Sequence, residues 1–248
     1  MGRRAENSVI AGIGVFADAF SFIVERRELL LGKTWEHLLL SCGAVGVALA
    51  LAVPLGVWLG HLHRGSLIAI NAANLGRALP SLAVIAIGFG FLGFGFVNVL
   101  VALVILAVPP ILTNAYVAVD EVDPDAVEAA RGMGMTSLQV LRRVELPLAL
   151  PLLFVGIRSA AVYVVASATI AAVAGGGGLG EILFNQASYR TEGLVGAAIV
   201  VSALAVAADA AFGGLQWALT PRGLRAKAPA FAPDLVTRAT GAGTAGAR

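Results

Sequence analysis

Two stretches of the chain carry the glycine spacing of phosphate-binding loops. Gly32-Lys33-Thr34 has the ending of the pattern glycine, four residues, glycine-lysine-threonine, which cradles a phosphate in backbone N–H groups. That pattern needs a glycine five positions before Gly32, and Arg27 stands there, with no buried strand ahead of it. Gly175, Gly177 and Gly180 fit G-x-G-x-x-G inside AGGGGLGE, but the run lies between apolar stretches without a strand–turn–helix context. The first is expected to be a helix-connecting turn, the second a flexible or closely packed connection. The single cysteine, Cys42, has no partner for an internal disulfide, and no Cys/His metal spacing exists. It reads as a small buried residue. No nucleophile–base pair and no paired carboxylates stand out. The expectation is therefore no catalytic residue, no metal site and no cofactor bound by the chain itself.

Composition turns the question from chemistry to transport. Of 248 residues, 58% are hydrophobic and 13% charged, about half the charge of an ordinary soluble domain at roughly 25%. Too few polar residues remain to give a soluble fold its wet surface, so a polytopic membrane protein is implied. A formal net charge of +2 leaves no electrostatic footprint for nucleic acid.

Five stretches are long and apolar enough to cross a bilayer: about 38–59, 67–94, 96–119, 148–173 and 194–215. Pro54 in the first is tolerable where neighbouring helices satisfy the freed carbonyl. The Pro109-Pro110 pair in the third is expected to kink it. Gly93 to Gly95 leaves room only for a tight hairpin between the second and third. The fold class is thus all-α, with about five core transmembrane helices. Residues 1–36 read as an amphipathic interfacial segment without a cleavable leader, 37–219 as the transmembrane domain and 220–248 as a disordered tail.

Arg64, Arg131, Arg142, Arg143, Arg222, Arg225 and Lys227 fall in three segments that five spans bring to one side. The positive-inside rule makes that side cytoplasmic. Arg26, Arg27 and Lys33 then lie on the opposite side, a conflict that an additional N-terminal span over residues 9–24 would remove. Ionisable residues within spans are functional candidates. Arg77, Arg158 and Asp209, with Asn74, Asn114 and Pro80, are candidate lining of a translocation pathway, against the plainer reading of interhelical hydrogen bonding.

The remaining feature is a polar island, VDPDAVEAARGMGMTSLQVLRRVELPLALP, from Val122 to Pro151. Asp123-Pro124 is a helix start, with Asp as cap and Pro at the first helical position. Asp125 and Glu128 favour the positive helix end, and Gly132 to Gly134 should stop it. Thr136 and Gln139 have capping-box spacing for a second helix, after which the fourth span begins. The island is expected to be helix, turn, helix outside the membrane, and a surface low in side-chain bulk at Ala129-Ala130 and Gly134 would admit another protein closely.

Glu128-Ala129-Ala130, three residues, Gly134, nine residues, then Val144-x-Leu146-Pro147 resembles the EAA loop of ABC-importer permeases. Val144, where the family has Ile, is the one departure. The resemblance extends over about 34–219, and TWEHLLLS, NLGRALPSLAV and AGGGGLGE resemble the glycine betaine, carnitine and choline branch. It implies the fold of a type I importer permease and a coupling loop over 120–147. Glu128, Ala129, Ala130, Arg131, Gly132 and Gly134 would dock a separate ATPase, and Leu146 and Pro147 would anchor the return. It further implies ATP and magnesium used by that ATPase, an extracytoplasmic substrate-binding protein, a second permease copy or homologue, and a place in the bacterial cytoplasmic membrane. Another small solute such as an amino acid is the alternative cargo. A self-sufficient channel or secondary transporter is the alternative class, and it would leave the island unexplained.

Overall fold

Long unbroken helices dominate because few residues of the apolar stretches break them, and backbone groups in hydrocarbon must be satisfied within the segment. The computed structural model describes residues 2–221 except 66, 68, 70, 73, 75–77 and 79, with side chains from Gly14 onward. Arg77 and the tail from residue 222 lie outside the described residues. The elements are α1 (Gly2–Glu25), α2 (Arg27–His61), α3 (Ser81–Leu92), α4 (Phe96–Asp120), α5 (Pro124–Gly132), α6 (Ser137–Val140), α7 (Leu146–Ser167), α8 (Gly180–Leu183) and α9 (Gln186–Leu219). A π-turn, Leu141–Glu145, joins α6 to α7, and a 3₁₀ segment, Ala168–Ala174, follows α7. Among the described residues four helical stretches are of membrane length and apolarity: Arg27–His61, Phe96–Asp120, Ser137–Ala174 and Gln186–Leu219.

Helix α4 is the central element. It packs against α2, α3 and α7, and its Val99, Leu103, Leu106, Ala107, Ile111 and Ala115 are buried. It runs through Pro109-Pro110 as one helix. The α2–α4 seam depends on Gly56 and Gly60, four residues apart on one face of α2. A Cβ at Gly56 would stand 2.6 Å from the Ala115 Cβ, and one at Gly60 would stand 2.7 Å from the Tyr116 carbonyl oxygen. This is small-xxx-small packing, in which bare backbone lets two membrane helices touch. Helix α1 lies against α9, where Phe22 meets Tyr189 edge to face at 6.2 Å between ring centroids.

Several expectations change. Gly32-Lys33-Thr34 is not a turn but part of α2, since nothing near it breaks the helix. Cys42 is exposed on α2, because the buried face there belongs to Ser41, Ala44 and Val45. The stretch 67–94, expected as one span, is interrupted at Pro80, and the helix Ser81–Leu92, of 12 residues, follows it. Pro80 is in an extended conformation, φ −71° and ψ 123°, and has no N–H with which to continue a helix. The island's second helix, expected to end before the fourth span, instead continues into it. Pro147 would press its ring on the carbonyl four residues back, and the wider π-turn at Leu141–Glu145 carries the chain past that point without a break.

Candidate functional site

The island folds as its caps direct. The Asp123 side chain accepts from the Asp125 N–H at 3.0 Å, with Pro124 opening α5. At the other end Gly134 has φ +82°, a left-handed turn that side chains resist. Thr136 and Gln139 then form the reciprocal capping box: the Thr136 N–H donates to Gln139 Oε1 at 2.8 Å, and the Gln139 N–H donates to Thr136 Oγ1 at 3.4 Å. Val122, Val127, Ala130, Val140 and Leu141 pack with Val57, Ala149 and Phe154, so the loop is seated on the bundle.

That seating sorts the residues of the EAA pattern. Glu128, Ala129, Arg131, Gly132 and Gly134 are exposed, and Leu146 and Pro147 are half-buried at the entry to α7. Ala130 differs from its expected place on the docking surface: at 1% exposed it faces the loop's own core, because one side of a nine-residue helix must pack inward. The outer face gains Met133, 73% exposed, and Leu138, 54% exposed. A small, partly apolar surface beside Glu128 and Arg131 results. It can hold a partner's side chains, and it contains no group suited to covalent chemistry.

Beneath the loop lies a polar set that the sequence did not announce. Glu145 is 1% exposed and His61 8%. His61 Nδ1 and Glu145 Oε2 are 2.6 Å apart, and His61 Nε2 and Ser137 Oγ are 2.6 Å apart. The end of α2 is thereby fastened to both ends of the α6–π-turn segment. Alongside, His63 Nδ1 lies 2.9 Å from Asp120 Oδ1, and the Tyr116 hydroxyl donates to Asp120 Oδ2 at 3.1 Å. At the opposite end of the bundle, the Gly178 N–H donates to Glu36 Oε2 at 2.9 Å, and Lys33 bridges Glu36 and Glu181 at 2.9 and 2.6 Å. The glycine run is a tight connection there: a Cβ on Gly177 would come within 2.7 Å of Glu36 Oε2.

The candidate pathway residues separate. Arg158 of α7 and Asp209 of α9 form a two-pronged ion pair, Nε to Oδ1 at 2.9 Å and Nη2 to Oδ2 at 2.7 Å. Both line a cavity of about 730 Å³ with Ser159 and Tyr163. Asn114 is not in that lining; its Nδ2 donates to the Pro110 carbonyl at 2.8 Å, and its side chain packs against Gly156 on the α4–α7 seam. Asn74 and Pro80 are exposed. Among the described residues no group of three or more His, Cys, Asp or Glu side chains is placed to hold a metal ion.

Membrane-length helices, an ionised cavity between two of them and a structured polar loop at one end define the membrane subunit of a transporter. The sequence profile of the family described as "binding-protein-dependent transport system inner membrane component" matches residues 52–222, and the chain belongs to that family. It is the multi-pass inner-membrane permease of an ABC transporter, and ATP hydrolysis resides in a separate ATPase that acts with it and with a binding protein. Among its relatives is the carnitine transport permease protein OpuCB of Listeria monocytogenes, 40% identical over 83% of this chain and 94% of that protein. The glycine betaine/carnitine/choline transport system permease protein OpuCB of Bacillus subtilis is 40% identical over 83% and 95%. The permease fold of the methionine ABC transporter MetNI, in an inward-facing conformation, superposes with a TM-score of 0.67 at 25% identity, covering 79% of this chain and 99% of that one.

Proposed function

We propose that this chain is the permease of an ATP-driven importer of quaternary-amine osmoprotectants, of the glycine betaine, carnitine and choline class. The observation that carries the substrate class is the 40% identity to permeases for these compounds over 83% of the chain. A binding protein delivers the solute from outside, two copies of the permease or a homologous pair form the passage, and two ATPases drive it. The exposed face of α5 and its turn, from Glu128 to Gly134, supports the reading of the loop as the ATPase-docking element. Charge at Glu128 and Arg131 would set the orientation of docking, and Met133 and Leu138 would supply contact area. Arg158 and Asp209 line the passage.

Reconstitution tests this reading. Proteoliposomes holding the permease, its ATPase and its binding protein are expected to accumulate labelled glycine betaine only when ATP is inside and binding protein outside. Uptake by the permease alone without ATP would instead identify a self-sufficient channel or secondary transporter. Uptake confined to amino acids would contradict the substrate class.

A further inference from the structure

The Arg158–Asp209 pair sits where charges are hardest to keep. Arg158 is about 18 Å along α7 from its start and Asp209 about 15 Å along α9 from its end, at 1.5 Å per residue. Both fall within the apolar spans 148–173 and 194–215, which are long enough to cross a hydrocarbon layer about 30 Å thick. Their side chains are nevertheless 36% and 43% exposed. Ionised groups at that depth are costly against lipid and face a protein interior or a water-filled passage. Their exposed edges open on the cavity of about 730 Å³, a size common for small-molecule sites.

The walls of that cavity describe a ligand. Arg158 supplies a planar cation, which suits a carboxylate in two-point contact. Asp209 supplies an anion, and Tyr163 an aromatic ring on the same lining. Together they suit a methylated ammonium, which cannot donate a hydrogen bond and is attracted by charge and by a ring face. Ser159 is engaged, its hydroxyl donating to the Val155 carbonyl at 2.8 Å, so it makes no competing demand. Val162 and Val206 complete an apolar wall. A second anchor holds the guanidinium: Nη1 donates to Gln216 Oε1 at 3.5 Å, while Gln216 Nε2 donates to the Pro151 carbonyl at 3.2 Å.

We propose that this cavity is a membrane-embedded recognition site for a zwitterionic quaternary ammonium, Arg158 receiving the carboxylate and Asp209 with Tyr163 the methylated ammonium. The proposal rests on the quaternary-amine reading above. Its electrostatic logic is an exchange. In the empty site the two side chains neutralise each other. A zwitterion inserted between them gives each a new counter-charge, so the cavity is neutral before, during and after passage. No unpaired charge is left within the membrane span, which would be strongly unfavourable. A solute bearing one charge gives no such balance, so the site distinguishes a betaine from choline, which lacks the carboxylate.

That difference supplies the experiment. ATP-driven uptake of glycine betaine and of choline is measured in the reconstituted importer, with the same binding protein throughout and each variant expressed relative to wild type. Arg158→Gln is expected to lower betaine uptake about tenfold more than choline uptake, the loss of one charge-assisted contact. Asp209→Asn is expected to lower both. The double variant Arg158→Asp with Asp209→Arg keeps an ion pair between α7 and α9 but reverses it. It is expected to copurify with the ATPase as wild type does while betaine uptake stays low. Wild-type betaine uptake by this reversed pair, or equal losses for the two solutes in Arg158→Gln, would overturn the site and leave the importer reading standing. Wild-type protein that transports neither solute would contradict the importer reading and the site together. Where choline is not delivered, the reversed pair decides alone.

Discussion

His61 and Glu145 show how much a single contact does at the island. Glu145 enters a membrane-length helix, 1% exposed, and its Oε2 meets His61 at 2.6 Å. Removing one member of a buried hydrogen-bonded pair leaves the other unsatisfied, at a cost of about 1–3 kcal/mol, whereas replacing both with apolar side chains is often close to neutral. His61→Ala is therefore expected to destabilise the detergent-solubilised protein by about 1–3 kcal/mol, read from its denaturation midpoint. The double variant His61→Ala with Glu145→Leu should recover most of the loss. Equal destabilisation of single and double variants would show the pair to be incidental. The sequence has a carboxylate and an imidazole here, each beside an apolar run, and singles out neither. It could not pair them, because 84 residues separate the two and the register between α2 and the π-turn is set by packing. Arg158 and Asp209 were legible as a class, since ionised residues inside spans are rare, while Asn114 has its own local hydrogen bond and lies away from their cavity.

At the scale of elements, caps and turns were the most legible features because they are local. Asp123, Pro124, Gly134, Thr136 and Gln139 each act within a few residues of themselves, and the structure has each in that role. Continuity was less legible. The passage of α6 into α7 depends on a π-turn beside Pro147, and composition alone does not distinguish a turn from a widened helix. Gly56 and Gly60 look in the sequence like the rest of an apolar stretch, yet they set the approach of α2 to α4. Gly60→Leu is expected to destabilise the fold by about 1–3 kcal/mol through overpacking, measured as a lower thermal midpoint and reduced yield in detergent. Gly46→Leu is the control, since a Cβ there meets nothing within 4 Å. Loss of the same size at both positions would indicate a general intolerance of bulk in α2 rather than a seam at Gly60.

For the whole molecule, a small division of labour emerges. One end carries the structured loop, fastened by His61, Glu145 and Ser137 to the helix that also packs along α4. The interior carries the Arg158–Asp209 cavity. The opposite end is tied by Glu36, Gly178, Lys33 and Glu181. Under the proposed coupling role, force applied at the loop would reach α7 through the continuous helix and α2 through His61. The measurement that bears most directly on this is association with the ATPase. Purified permease carrying Glu128→Arg, at an exposed position, should insert and fold normally, while Gly134→Val, incompatible with φ +82°, should insert and distort only the turn between α5 and α6. Each should bind the ATPase about tenfold more weakly or worse, as truncation of a central interface contact does, and ATP-driven uptake should fall with it. Unchanged ATPase affinity together with unchanged uptake in both variants would contradict the loop as the coupling element.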